Sequence, residues 1–126
     1  MAKVFLDANK VLDIALQRPL VKEEIDGHEV FISPLSIHIL CYVGKIKIPD
    51  KTVSQFKNEY HIVDLTDAIL EKALVGPTAD LEDNIQLHSC AEEDCDYFLT
   101  HDEKLLKMKF FGKTKIVNNL LLKTPT

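Results

Sequence analysis

Short apolar runs with strand character alternate with helix-like stretches along all 126 residues, and this alternation limits the folds open to the chain. Residues 4–6, 29–32, 60–65, 97–99 and 115–117 read as five strands. Residues 9–17 carry apolar side chains at 11, 12, 14, 15 and 16, a helix that Pro19 would end. Residues 20–26 read as a further turn or two, stopped by Gly27. Ser33-Pro34 places a good N-cap before a proline at the first helical position, opening a helix that Gly44 closes. Residues 49–57, 66–75 and 80–94 read as helices, the last of them long and polar-faced, and a short helix follows His101-Asp102. Such alternation implies right-handed crossovers and a parallel sheet covered on both faces. With no repeat, low-complexity tract or linker, one α/β domain spanning residues 1–126 is expected.

Composition narrows the class. Apolar residues make up 46% and charged residues 28%, the balance of an ordinary globular domain. No apolar run approaches the roughly 20 residues of a membrane span. The first residues enter a strand directly, without a secretion-signal core, so a cytoplasmic protein is expected. Cys41, Cys90 and Cys95 have no framework spacing, and the five-residue step from Cys90 to Cys95 does not match a zinc knuckle even with His88 nearby. Reduced, partly buried thiols are expected instead.

The net charge of −5 is unfavourable for a phosphate-binding protein, but the charges are segregated. Residues 80–96 hold seven acids and no base; residues 104–115 hold five lysines and no acid. Lys104, Lys107, Lys109, Lys113 and Lys115 could form one bank of a nucleic-acid groove, or simply a solvated charged surface. The only arginine is Arg18, so bidentate phosphate clamps are scarce.

Phe5-Leu6-Asp7 and Phe98-Leu99-Thr100-His101-Asp102 each put an aspartate just beyond a buried strand. Parallel sheets bind ligands at the carboxyl ends of their strands, where strand order reverses. If the first and fourth strands are neighbours, Asp7 and Asp102 converge there. Asp80 and Asp83 stand three apart in the first turn of a helix, on one face, where the helix dipole favours anions. Crowded carboxylates repel unless a cation neutralises them, and a hard divalent ion suits oxygen donors. The competing reading makes Asp7, Asp80 and Asp102 plain helix caps; spacing alone leaves both open.

Three segments carry a family resemblance. VFLDANKVL at residues 4–12 resembles the opening of PIN-domain nucleases, DLEDNIQLHSCA at 80–91 resembles their third acidic motif, and FLTHD at 98–102 resembles the fourth. The order and separation fit over nearly the whole chain. The resemblance implies a three-layer αβα sandwich with a five-stranded parallel sheet in the order 3-2-1-4-5. It implies a Mg²⁺- or Mn²⁺-dependent endoribonuclease of the VapC-like toxin group, partnered by RNA and an antitoxin. Asp7, Asp83 and Asp102 match metal-site and catalytic acids, Asp80 matches a pattern found in part of the family, and Asn9, Thr100 and Ser36 match supporting polar positions.

One departure stands out. ISPLSIHIL at 32–40 resembles the second motif, yet Ile39 occupies the place of its glutamate. His38 is adjacent, about 100° away on a regular helix, and imidazole suits Mn²⁺ or Zn²⁺ better than Mg²⁺. A packed or surface histidine is the bland alternative. The missing acid favours a second function, a PIN-fold RNA- or protein-binding module without turnover. A response-regulator-like phosphoacceptor domain fits poorly, because Asp7 has no acidic neighbour and Val117-Asn118-Asn119 follows the last strand. The third helix, with Leu35, Ile37, Ile39, Leu40, Tyr42 and Val43, is apolar on several sides, which suits either burial or a homodimer.

Overall fold

The computed structural model describes residues 1–16 and 19–120. Gln17, where the first helix was expected to end, and Arg18 lie outside the described residues. The chain order is β1 (Lys3–Leu6), α1 (Ala8–Ala15), α2 (Pro19–Ile25), β2 (Glu29–Ile32), α3 (Pro34–Val43), α4 (Lys51–Asn58), β3 (His61–Ile62), α5 (Asp67–Ala73), α6 (Leu81–Glu92), β4 (Tyr97–Leu99), α7 (Glu103–Met108), β5 (Phe110–Phe111) and β6 (Thr114–Val117). Among the described residues no helix is long and apolar enough to cross a membrane.

The fold is α/β and PIN-like, with the sheet order β3-β2-β1-β4-β6-β5. The five parallel strands follow the expected 3-2-1-4-5 order, β6 taking the fifth place. The sheet has one strand more than expected. Phe110–Phe111 folds back through Gly112, whose φ of 61° suits a residue without a Cβ, and pairs antiparallel with Thr114–Val117. A two-residue strand is too short to show alternation in sequence.

Each face of the sheet has its own core. Val4, Leu6, Val30, Ile32 and Leu99 pack against Val11 and Ile14 of α1 on one side. Phe5, Phe31, Phe98 and Ile116 pack against Ile69, Leu87 and Leu105 on the other. The strands are apolar on both faces because helices cover both, which is why they read as continuous runs.

The expectation of a polar-faced α6 needs correcting. This helix buries Asn84, Ile85, Gln86, Leu87, Ser89 and Cys90. Its polar side chains survive burial largely through hydrogen bonds. Asn84 Nδ2 donates to the carbonyls of Ala73 and Thr78, and Gln86 Nε2 donates to Ser36 Oγ at 3.1 Å. The helix α3 is also less uniform than its sequence suggests: Ser36 and Leu40 are buried, while Tyr42 and Val43 are exposed. All three cysteines are free thiols, Cys90 and Cys95 buried and Cys41 partly so.

Candidate active site

The site is built where β1 and β4 lie side by side. Leu6 pairs with Leu99, so the next residues of both strands leave the sheet at the same edge. Asp7 N donates to Leu99 O at 3.0 Å, extending the pairing one step. The Asp7 side chain is 3% exposed. Its Oδ1 accepts from Ala8 N at 2.8 Å. Its Oδ2 accepts from Thr100 Oγ1 at 2.7 Å and from Asn9 Nδ2 at 3.2 Å. Thr100 Oγ1 in turn accepts from Asp102 N at 3.0 Å and from Asn9 Nδ2 at 3.2 Å. Asn9 Oδ1 accepts from His101 N at 3.1 Å. Asn9 and Thr100 thus stitch the first and fourth motifs into one unit.

The capping alternative is also realised. Asp7 caps α1, Asp80 caps α6 with Oδ1 accepting from Asp83 N at 2.9 Å, and Asp102 caps α7 with Oδ1 accepting from Lys104 N at 2.8 Å. Capping engages one oxygen of each carboxylate; the second oxygen of Asp7 accepts from Thr100 and Asn9, and the caps leave the second oxygens of Asp80 and Asp102 unused.

The α6 acids face the same place. The Asp83 carboxyl is pushed up to about 7, by partial burial first and then by the charges of Asp80, Asp7, Asp102 and Glu82. Asp7 is also raised, chiefly by burial, with Asp102 adding repulsion; the bonds from Thr100, Ala8 and Asn9 oppose the shift. Glu82 is raised by partial burial, then by Asp7, then by Asp80. Groups that repel one another this way share one electrostatic space. Among the described residues the Asp83 and Glu82 carboxylates have no hydrogen-bond or ion-pair partner.

The remaining candidates fall in three places. Ser36 is buried and joins α3 to α6 through Gln86, with no hydrogen bond to the acids. His38 and Ile39 line an apolar groove between α3 and α6, together with Leu35, Tyr42, Leu81 and Glu82. Lys104, Lys107 and Lys109 are exposed on α7 and its C-terminal end; Lys113 lies 4.0 Å from Asp94, and Lys115 stands on β6 opposite Phe110.

Three features went unread in the sequence. Glu82 sits between the two acids that drew attention. His101 bridges Asp13 and Asn118, one at each ring nitrogen. Lys10 is buried, with Nζ 2.9 Å from Glu24 Oε1 and 2.7 Å from Asn118 O, and ties α1 and α2 to the segment after β6.

The donor set suits a hard divalent cation: carboxylate oxygens, mutually repelling, at a sheet edge beside a helix N-terminus. Among the described residues no three His, Cys, Asp or Glu side chains are grouped so as to hold one ion directly. That spread is compatible with Mg²⁺, which keeps several waters and takes only one or two carboxylates outright.

No protein-family model matches the chain, and no curated protein matches it closely. Solved structures do. A toxin–antitoxin complex from Klebsiella pneumoniae superposes with a TM-score of 0.72 at 17% identity, covering 91% of this chain and 96% of that one. A sarcin-ricin-loop-cleaving VapC toxin of Mycobacterium tuberculosis gives 0.65 at 10% identity, covering 89% and 98%. The VapBC2 complex of Rickettsia felis, solved on a promoter DNA fragment, gives 0.64 at 11% identity, covering 91% and 97%. The chain therefore has the PIN-like α/β fold. The same fold is found in these toxin and toxin–antitoxin structures.

Proposed function

We propose that this chain is a metal-dependent endoribonuclease, the toxin of a toxin–antitoxin pair acting in the cytoplasm. The observation that carries the reading is that β1 and β4 end side by side, so that Asp7 and Asp102 leave the sheet at one edge tied through Thr100, with Asp83 in the first turn of α6. Asp7, Asp83 and Asp102 would hold Mg²⁺ or Mn²⁺, with Asp80 beside them. When bound, such an ion activates water and stabilises charge on a phosphodiester. Asn9 and Thr100 fix the orientation of Asp7, whose burial keeps it from wandering. Lys104, Lys107 and Lys109 supply phosphate contacts along α7. An antitoxin and a second copy of the chain are the protein partners this reading implies. The toxin–antitoxin complexes with the same fold support it.

The experiment is RNA cleavage by the pure protein with Mn²⁺ supplied. Cleavage that disappears in Asp7→Asn supports the nuclease. A second reading rests on Ile39, which stands where the family's α3 glutamate is expected: an RNA- or protein-binding module without turnover. RNA retention with no Mn²⁺-dependent cleavage would favour it.

A further inference from the structure

The turn from α6 into β4 brings two cysteines together at the opposite end of the helix from Asp83. Asp94 ends the helix in the left-handed region, with a φ of 52°. Its N–H donates to Ala91 O at 3.0 Å, and Cys95 N–H donates to Cys90 O at 3.3 Å. This pair of bonds makes a Schellman motif, in which a residue of the last helical turn meets the second residue beyond the cap, usually through apolar side chains. Here the two positions are Cys90 and Cys95, 1% and 0% exposed. Their thiols are near enough for Cys95 to hydrogen-bond Cys90, which, ahead of burial, pushes the Cys90 thiol up.

The frame around the pair is fixed. Thr114 Oγ1 donates to Cys95 O at 2.7 Å and lies 3.8 Å from Cys90 Sγ. The next residue already belongs to the sheet: Asp96 N donates to Lys3 O at 2.8 Å, and Asp96 O accepts from Lys115 N at 3.0 Å. With the two backbones held one hydrogen bond apart, joining the sulfurs calls for side-chain rotation and little else.

We propose that Cys90 and Cys95 are a thiol–disulfide modification site, closed by exchange with a small-molecule disulfide of the oxidised-glutathione type. One cysteine thiolate attacks the small disulfide and expels a glutathione thiolate. The other cysteine attacks the protein sulfur of the mixed disulfide and expels the second. Two electrons and two protons leave the protein, the cysteines are oxidised to a disulfide, and two glutathione thiols form. Both sulfurs are buried, so the exchange proceeds through local opening of the end of α6. The closed form ties the helix that begins at Leu81 to the strand that leads to Asp102. The simpler role for the pair is the apolar contact of the motif, cysteine acting as a small hydrophobe. A contact of that kind gives the folded chain no preference for the disulfide.

The test uses Cys41→Ser, which leaves only these two thiols. The folded protein is equilibrated in mixtures of reduced and oxidised glutathione, starting from the reduced form and from a form oxidised in denaturant and refolded. Free thiols are counted by alkylation and mass, and the link is mapped by digestion. The same titration in denaturant supplies the unfolded reference. The two thiols should disappear together, with a mass lower by two hydrogens and a Cys90–Cys95 cross-link. The equilibrium constant should favour the disulfide at least about tenfold more in the folded protein than in denaturant. By linkage the disulfide then favours folding by the same factor, so the oxidised form should melt several degrees above the reduced one. Adding Cys90→Ser or Cys95→Ser should abolish that rise. An equilibrium constant no better than that of the unfolded chain overturns the proposal. So does an oxidised form that melts at or below the reduced form, or glutathione held on both cysteines in place of the cross-link.

Discussion

Thr100 and Asp7, 93 residues apart, share a buried hydrogen bond of 2.7 Å in which the hydroxyl donates to the carboxylate. The bond locks the end of β1 to the end of β4, and Thr100 Oγ1 also receives Asp102 N. Thr100→Val keeps the shape and removes both functions. Hydrogen bonds to charged groups are worth about 1.5–3 kcal/mol, so the variant should lose roughly that much stability in a denaturant titration. Thr100→Ser should retain most of it. A valine variant as stable as the parent would show that the bond contributes nothing.

Asp7→Asn should separate stability from activity. Burial is the largest influence on Asp7 and disfavours its charge. Asparagine is an equally good N-cap and can keep its oxygen on Ala8 N, but its amide nitrogen replaces the oxygen that accepts from Thr100 and Asn9. Relief of the buried charge and loss of the Thr100 bond oppose each other, so the variant should melt within a few degrees of the parent at neutral pH while losing all Mn²⁺-dependent cleavage. Retained cleavage would trace the activity to another site or a contaminant.

The stability of the metal-free protein should fall as pH rises. The folded-state value of Asp83 is about 7, against an ordinary 3.8. A carboxyl raised on folding contributes stability that is complete below its unfolded value and is lost as pH rises through the folded one. The window is therefore about pH 4 to 7, and Asp7 and Glu82 are shifted in the same direction. Between about pH 5 and about pH 8 the parent melting temperature should drop, whereas Asp83→Asn should flatten the profile and melt a few degrees higher at the alkaline end. Mn²⁺ should raise the parent at that end by binding the folded state. Superimposable profiles for parent and Asp83→Asn would reject the shared-charge account.

The sheet was legible because its central strands β1, β2 and β4 are buried on both faces and read as unbroken apolar runs. β2 and β4 fall where the sequence put them, at Glu29–Ile32 and Tyr97–Leu99. The two-residue strand β5 carries no periodicity, so the hairpin at Gly112 was missed. α6 misled for a different reason. Asn84, Gln86 and Ser89 look solvent-facing as residue types; Ser36 and the carbonyl of Ala73 partner Gln86 Nε2 and Asn84 Nδ2, while Ser89 is buried with its hydroxyl unpaired. Lys10 was overlooked likewise, because lysine is almost never fully buried unless paired, and its partner Glu24 lies on another helix. At the site, Asp7 and Asp102 were readable from their position after strands. Glu82 was not, because a glutamate in the first turn of a helix reads equally well as a solvated residue favoured by the helix dipole.

The lysines of α7 give a salt-dependent prediction. Lys104, Lys107 and Lys109 are exposed and follow directly from the Asp102 cap. Each phosphate contact to a single strand contributes about 0.7 to the slope of log affinity against log salt. Replacing all three with alanine should weaken RNA binding and lower the slope by up to about 2 if each meets one phosphate. Fold stability should hardly change, since exposed substitutions usually stay within about 0.5 kcal/mol. An unchanged slope would assign these lysines to a solvated surface.

The C-terminal end of α3 should hold two copies of the chain together. Tyr42 is 79% exposed and Val43 56%, on a helix whose apolar residues exceed what its own domain covers. Tyrosine is enriched at the centres of interfaces, where it buries a large ring at little entropic cost. Ile39 and Leu81 continue the apolar surface along the groove, so a partner helix would meet more than an isolated ring. Light scattering should therefore give the parent twice the 14.3 kDa chain mass, and Tyr42→Lys with Val43→Asp should return it to one chain. Because both side chains are exposed in the single chain, the double variant should keep its circular dichroism and melt cooperatively. A parent that scatters as a single chain at tens of micromolar, about the range where modest interfaces assemble, would leave this face to a different protein. A variant that remains dimeric would move the interface off α3 altogether.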